Sequence, residues 1–151
     1  MVASPLNQVV CSTEVWNARM RDFLHDCAGS APVEEPDRIR EAILLLLHDP
    51  HTGAKRDFDP AAVEAMLSCG APESAVLTLM GGCATFMLSR GTSGTCLATL
   101  VMADGSEEMI CEAATLSLAL LGAYVSMLLA DSERIEKEVP PIGLSGGMRL
   151  H

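Results

Sequence analysis

The chain has 151 residues, enough for one domain with a buried core, and a formal net charge of −10 that repels phosphate. Its longest basic cluster is the run "AKR" at 54–56, so it lacks the cations that displace condensed counterions, and direct DNA or RNA binding is disfavoured. Hydrophobic residues make up 49% and aromatic residues 3%; the chain is not disordered as a whole, and its core calls for Leu, Ala, Val, Met and Cys packed mainly as helices.

The first predicted helix is "STEVWNARMRDFLHDCAG", capped by Ser12 or Thr13 and stopped by Gly29. Trp16, Met20, Phe23, Leu24 and Cys27 share one face of it, with His25 at the boundary. A linker, "SAPVEE", leads to Pro36 in the first turn of a second helix, "PDRIREAILLLLHD". Ile39, Ala42, Ile43 and Leu46 form its stripe. Leu44, Leu45 and Leu47 then extend the apolar surface around the helix, which points to cover by other elements or to a subunit contact. These three leucines are the candidate interface residues.

His48-Asp49-Pro50 ends that helix, since a residue before proline avoids helical geometry. The loop "HDPHTGAKRDFD" holds the densest set of metal-ligand types, with His48, His51 and Asp57 as the weak candidates. The spacing matches no known metal motif, and the loop reads as solvated, with no metal or cofactor expected. Asp59-Pro60 is a helix start, and Val63, Met66 and Leu67 give the short helix its apolar face before Gly70.

Pro72 and Glu73 open the next helix, which is predicted to run to Arg90 through an uncharged middle containing Gly81-Gly82. A glycine pair inside a helix costs about 1 kcal/mol per residue relative to alanine, and marks a kink or a close backbone approach. "GTSGT" at 91–95 is then a connector entering a strand. That order is the reverse of the strand-to-helix order of phosphate-binding loops.

Asp104-Gly105 between two apolar runs predicts a β-hairpin, about 95–102 and 107–113. A two-residue turn pairs Ala103 with Ser106. Cys96, Ala98, Leu100, Met102, Met109, Cys111 and Ala113 then share one face, and Thr95, Thr99, Glu108 and Glu112 mark the other. A three-residue loop with a bulge at Gly105 is the competing register.

Residues 113–130 carry no charge, which meets the lower limit for a membrane span. Acidic flanks, small and hydroxylated residues and the absence of nearby Lys or Arg favour a core helix instead, about 113–135. Thr115, Ala119, Gly122 and Ser126 form a stripe of small side chains that allows a close neighbour. The Gly81–Ala84 patch is the expected partner.

The fold class is therefore α+β: a mostly helical single domain of about five helices, residues 1–138, with one antiparallel hairpin packed on two long apolar helices, about 72–90 and 113–135. Residues 139–151, "VPPIGLSGGMRLH", read as a tail. The six cysteines show no C-x-x-C and no zinc-type spacing to histidine. Cys83 has no base near it in sequence and reads as a buried thiol. With no signal-type start at the N-terminus, these features suggest a reducing, cytoplasmic setting. No motif carries a family resemblance.

Function is read at the same level. The first expectation is a non-enzymatic interaction or accessory protein, a homodimer acting through an apolar helical surface with an acidic rim. Its charge suits a basic protein partner. One edge of the hairpin paired with a second copy would complete the dimer. The alternative is a small-molecule site or enzyme, with Met80, Met87, Met102, Met109 and Met127 lining a pocket between hairpin and helices. A membrane-associated helical hairpin is the third reading.

Overall fold

A computed structural model describes residues 5–51, 58–82, 84–102, 105 and 107–138, with only the backbone considered for 5–12. The element order is α1 (Pro5–Gly29), a 3-10 turn (Pro32–Glu34), α2 (Glu35–Leu47), α3 (Pro60–Ser68), α4 (Pro72–Met80), β1 (Ala84–Arg90), β2 (Cys96–Met102), β3 (Glu108–Ala113) and α5 (Leu116–Glu138). The fold is α+β and mainly helical, with a three-stranded antiparallel meander in the order β1-β2-β3.

Local chemistry sets most of these boundaries. Asp59 caps α3, its carboxylate accepting from the Ala61 amide at 3.0 Å. Thr115 caps α5, its hydroxyl accepting from the Leu118 amide at 3.1 Å. Gly70 closes the turn after α3 at φ 75°, a left-handed conformation that a side chain resists. The expected stripe of α2 is the buried one, with Ile39, Ala42, Ile43 and Leu46 all inside. Helix α1 begins at Pro5, ahead of the predicted cap at Ser12 or Thr13. A proline in the first turn suits that start, because its missing N–H would have no helical partner.

One predicted helix is really two elements. Helix α4 stops at Met80, and Gly81 follows at φ 66° and ψ −151°, which an L-residue does not readily adopt. Residues 84–90, "ATFMLSR", then run as strand β1 rather than as the second half of a helix 72–90. "GTSGT" accordingly joins two strands. The Gly91 amide donates to Thr95 O at 2.9 Å, and the Gly94 amide to Gly91 O at 3.1 Å, with Gly94 at φ 89°. This is a three-residue hairpin loop with a left-handed glycine.

The β2–β3 hairpin has the register expected from a two-residue turn: Cys96 faces Ala113, Ala98 faces Cys111 and Leu100 faces Met109. The Met102 amide donates to Glu107 O at 3.1 Å at the end of the ladder. Of the turn itself, Gly105 is described, at φ 72°, whereas Ala103, Asp104 and Ser106 lie outside the described residues. Cys96, Ala98 and Leu100 are buried against α5, and Glu108, Ile110 and Glu112 point away from it.

Helix α5 is the floor of the molecule. It packs on β2, β3 and α1 and touches α2 and α4. Leu118, Leu120, Leu121 and Val125 are each at most 1% exposed. Burying such side chains is worth about 1.5–3 kcal/mol apiece. The helix is long and apolar enough to cross a membrane, yet 72% of its most apolar window is buried inside the protein. Its small-residue stripe receives β3 rather than Gly81 or Gly82, where an added Cβ would meet nothing within 4 Å. A Cβ placed on Gly122 would lie 3.1 Å from Cys111 Sγ of β3, and that sulfur is 3.9 Å from Ser126 Oγ. The tail, residues 139–151, lies outside the described residues.

Candidate functional site

Helices α1 and α2 form an antiparallel pair, and between them lies a groove of about 400 Å³ lined by Trp16, Phe23, Leu44, Leu45 and charged neighbours. Helical spacing builds both walls. Trp16, Arg19, Asp22, Phe23 and Asp26 recur along one face of α1, and Glu41, Leu44, Leu45 and His48 recur along α2. The floor is apolar. The rim carries three carboxylates, Asp22, Asp26 and Glu41, against Arg19 and His48.

The predicted interface residues divide over this surface. Leu44 is 59% and Leu47 57% exposed, while Leu45 packs partly against the core. Among the described residues, two of the three leucines are therefore left exposed. Trp16 is held at the groove by its indole N–H, which donates to Leu45 O at 2.8 Å. At the far end of the pair, Arg38 donates to Ser30 Oγ at 3.0 Å and to Glu41 at 2.6 Å. The Glu41 hydrogen bond, with the charges of Glu41, Asp26 and Glu34 behind it, raises the Arg38 pKa above its ordinary value.

His48 and His51 are employed separately. His48 Nδ1 donates to Leu44 O at 2.7 Å. His51 stacks edge-on against Trp16, ring centroids 5.9 Å apart, and its Nε2 meets Ser132 Oγ at 2.7 Å. Asp57 lies outside the described residues. Among the described residues, no group of three or more His, Cys, Asp or Glu is placed to hold a metal ion.

The His51 contact belongs to a chain of hydrogen bonds that sequence reading missed. Glu136 accepts from Asn17 Nδ2 at 2.8 Å, which turns the Asn17 oxygen toward Ser132. Ser132 donates its only proton to that oxygen at 2.6 Å. His51 Nε2 must therefore be the protonated nitrogen. Asn17 and Ser132 are 2% and 1% exposed, so the serine hydroxyl is a tie between α1, α5 and the loop after α2. Asn17 and Ser132 lie 115 residues apart, and no local pattern announces the pair.

The remaining sequence candidates lie elsewhere. Met80 and Met127 are core residues, and Met102 and Met109 are half-buried beneath the sheet. Met87, 70% exposed, sits on the opposite sheet face with Val101 and Thr99, so the five methionines do not line one cavity. The "GTSGT" loop borders a depression of about 440 Å³ with Ala28, Glu112 and Ala113. The Glu112 carboxylate there opposes an anion. Cys27 is buried, which pushes its thiol up to about 12, with nearby Arg38 acting in the other direction. It stays an unreactive thiol at neutral pH. Cys83 lies outside the described residues.

Comparison of the chain with family models, with characterised proteins and with solved structures finds no match.

Proposed function

We propose that this chain is a non-enzymatic interaction or accessory protein of the cytoplasm whose α1–α2 groove takes the apolar anchor of a basic partner protein. The observation that carries this reading is the combination of an apolar floor with Leu44 and Leu47 left exposed beside a rim of Asp22, Asp26 and Glu41. A segment presenting a Leu- or Phe-type side chain between lysines or arginines matches both features. An amphipathic helix laid in a groove is a common form of such recognition. The net charge of −10 steers a cationic partner toward the molecule and repels an acidic one.

Trp16 is the only tryptophan, and it lines the groove, so its fluorescence reports occupancy directly. The probe is an amphipathic peptide of leucine and lysine at helical spacing, with a leucine and glutamate version as control. The lysine peptide shifts the Trp16 emission and binds at least tenfold more weakly to Leu44→Lys, and raised salt weakens it. Equal response to both peptides, or indifference to Leu44→Lys, would sink the reading. A small molecule held against Trp16 and Phe23 is the second reading, favoured by the groove's volume, which falls in the range of ligand pockets.

A further inference from the structure

We infer that the outer edge of β1 is a self-pairing surface, on which a second copy of this chain adds its own β1 antiparallel to form a continuous six-stranded sheet. The inference is independent of the groove. Alternation along the sheet decides which backbone groups are unpaired. The Gly91–Thr95 bond at one end of the β1–β2 pair makes Ser89, Met87 and Thr85 the residues that exchange hydrogen bonds with β2. The Met102–Glu107 bond agrees, because it commits the even-numbered residues of β2 to β3. The N–H and C=O groups of Ala84, Phe86, Leu88 and Arg90 therefore point outward.

Nothing else in the described chain meets them. Strand β1 touches only β2 and α5, whereas the outer side of β3 is flanked by α1. The protections usual at an edge are missing: residues 84–89 contain no charge and no proline, and the pairing to β2 runs without a bulge. Phe86, on the helix-side face, is left 39% exposed where its neighbours across the strand, Leu100 and Ala98, are buried.

The occupant follows from self-complementarity and charge. A two-fold axis at Met87, the middle of the strand, sets Phe86 opposite Leu88 and Ala84 opposite Arg90 of the second copy. All four outward residues are then hydrogen-bonded. Phe86 meets Leu88 on the helix side, and Thr85 meets Ser89 on the other. In a chain of net charge −10, β1 carries no acid and one arginine, so two copies approach here without acidic residues face to face. Dimer formation accordingly does not weaken with added salt, unlike binding of a cation in the groove.

The test is the mass of the full chain by light scattering, with variants checked for retained fold by circular dichroism. The expected mass is about 32 kDa, twice the 16.0 kDa chain. Leu88→Pro, which removes an outward N–H and spares the bonds to β2, and Phe86→Lys both return the mass to that of one chain. Ile110→Lys, on the far face of β3, leaves the dimer intact. Under oxidation Met87→Cys forms a disulfide between copies, identified by peptide mapping, because residues facing each other at a non-hydrogen-bonded position lie about 4.5 Å apart. Thr85→Cys, displaced from the axis, does not. A single-chain mass for the parent protein, or a dimer that ignores Leu88→Pro and gives no Met87→Cys crosslink, overturns the inference.

Discussion

Asn17 shows how much one buried amide can decide. It lies between Trp16 and Ala18 on α1, and its two ends are committed in opposite senses, the nitrogen to Glu136 and the oxygen to Ser132. That polarity fixes the Ser132 proton and the His51 tautomer in turn. Replacing Asn17 with alanine strands the Ser132 hydroxyl and loosens His51 from α5, at a cost of about 1–3 kcal/mol. Urea unfolding of Asn17→Ala checks this; a midpoint equal to that of the parent protein contradicts the network. None of it was legible in the sequence, because long-range pairing of polar groups leaves no periodicity. The apolar members of the same helix were legible: Trp16, Met20, Phe23 and Cys27 repeat at helical spacing and are all buried.

At the scale of elements, the packing of β3 on α5 rests on Gly122. The small stripe on α5 was readable, but its partner was not, because a stripe states how close a neighbour comes and not which neighbour it is. Cys111 occupies the space a Cβ at 122 would need. Alanine at a helical glycine ordinarily gains about 1 kcal/mol, while crowding a packed site costs about 1–3 kcal/mol. Cys111 is held by a strand paired to β2, so it retreats poorly, and Gly122→Ala yields no net gain here. In a Cys111→Ala background the same change stabilises by about 1 kcal/mol. Thermal or urea unfolding of the four proteins of this cycle measures the coupling; a gain from Gly122→Ala that is the same in both backgrounds contradicts the contact.

The strand β1 marks where local reading failed among the elements. Residues 74–89 carry no charge, and an uncharged run alone does not distinguish helix from strand. The deciding features were the Gly81-Gly82 break and the short glycine loop "GTSGT" between two β-like runs, which together read as a hairpin. By contrast, the Asp104-Gly105 signal gave the β2–β3 pairing residue for residue. A turn defines register wherever one face of the strands must be buried, because a one-residue slip would turn Cys96, Ala98 and Leu100 outward.

For the whole molecule, the charge of −10 and the exposed leucines of α2 belong to one proposal. Interior apolar groups gather on α5, and the acidic residues are left on the outside, where Asp22, Asp26 and Glu41 ring the groove. Leu44 and Leu47 were recognisable in advance because four successive leucines cannot all face one core. The groove beside them was not, since it depends on how α1 meets α2. Both lie on helices that make no contact with β1 among the described residues, so the two surfaces are separate.

The most direct measurement is site-specific photocrosslinking in the source cell, with a photoreactive residue at position 44 and, as control, at position 110. The proposed function predicts an adduct at 44 that maps to a partner segment with an apolar residue flanked by lysine or arginine, and no such adduct at 110. Adducts alike at both positions, or a 44-linked segment that is acidic, would contradict it.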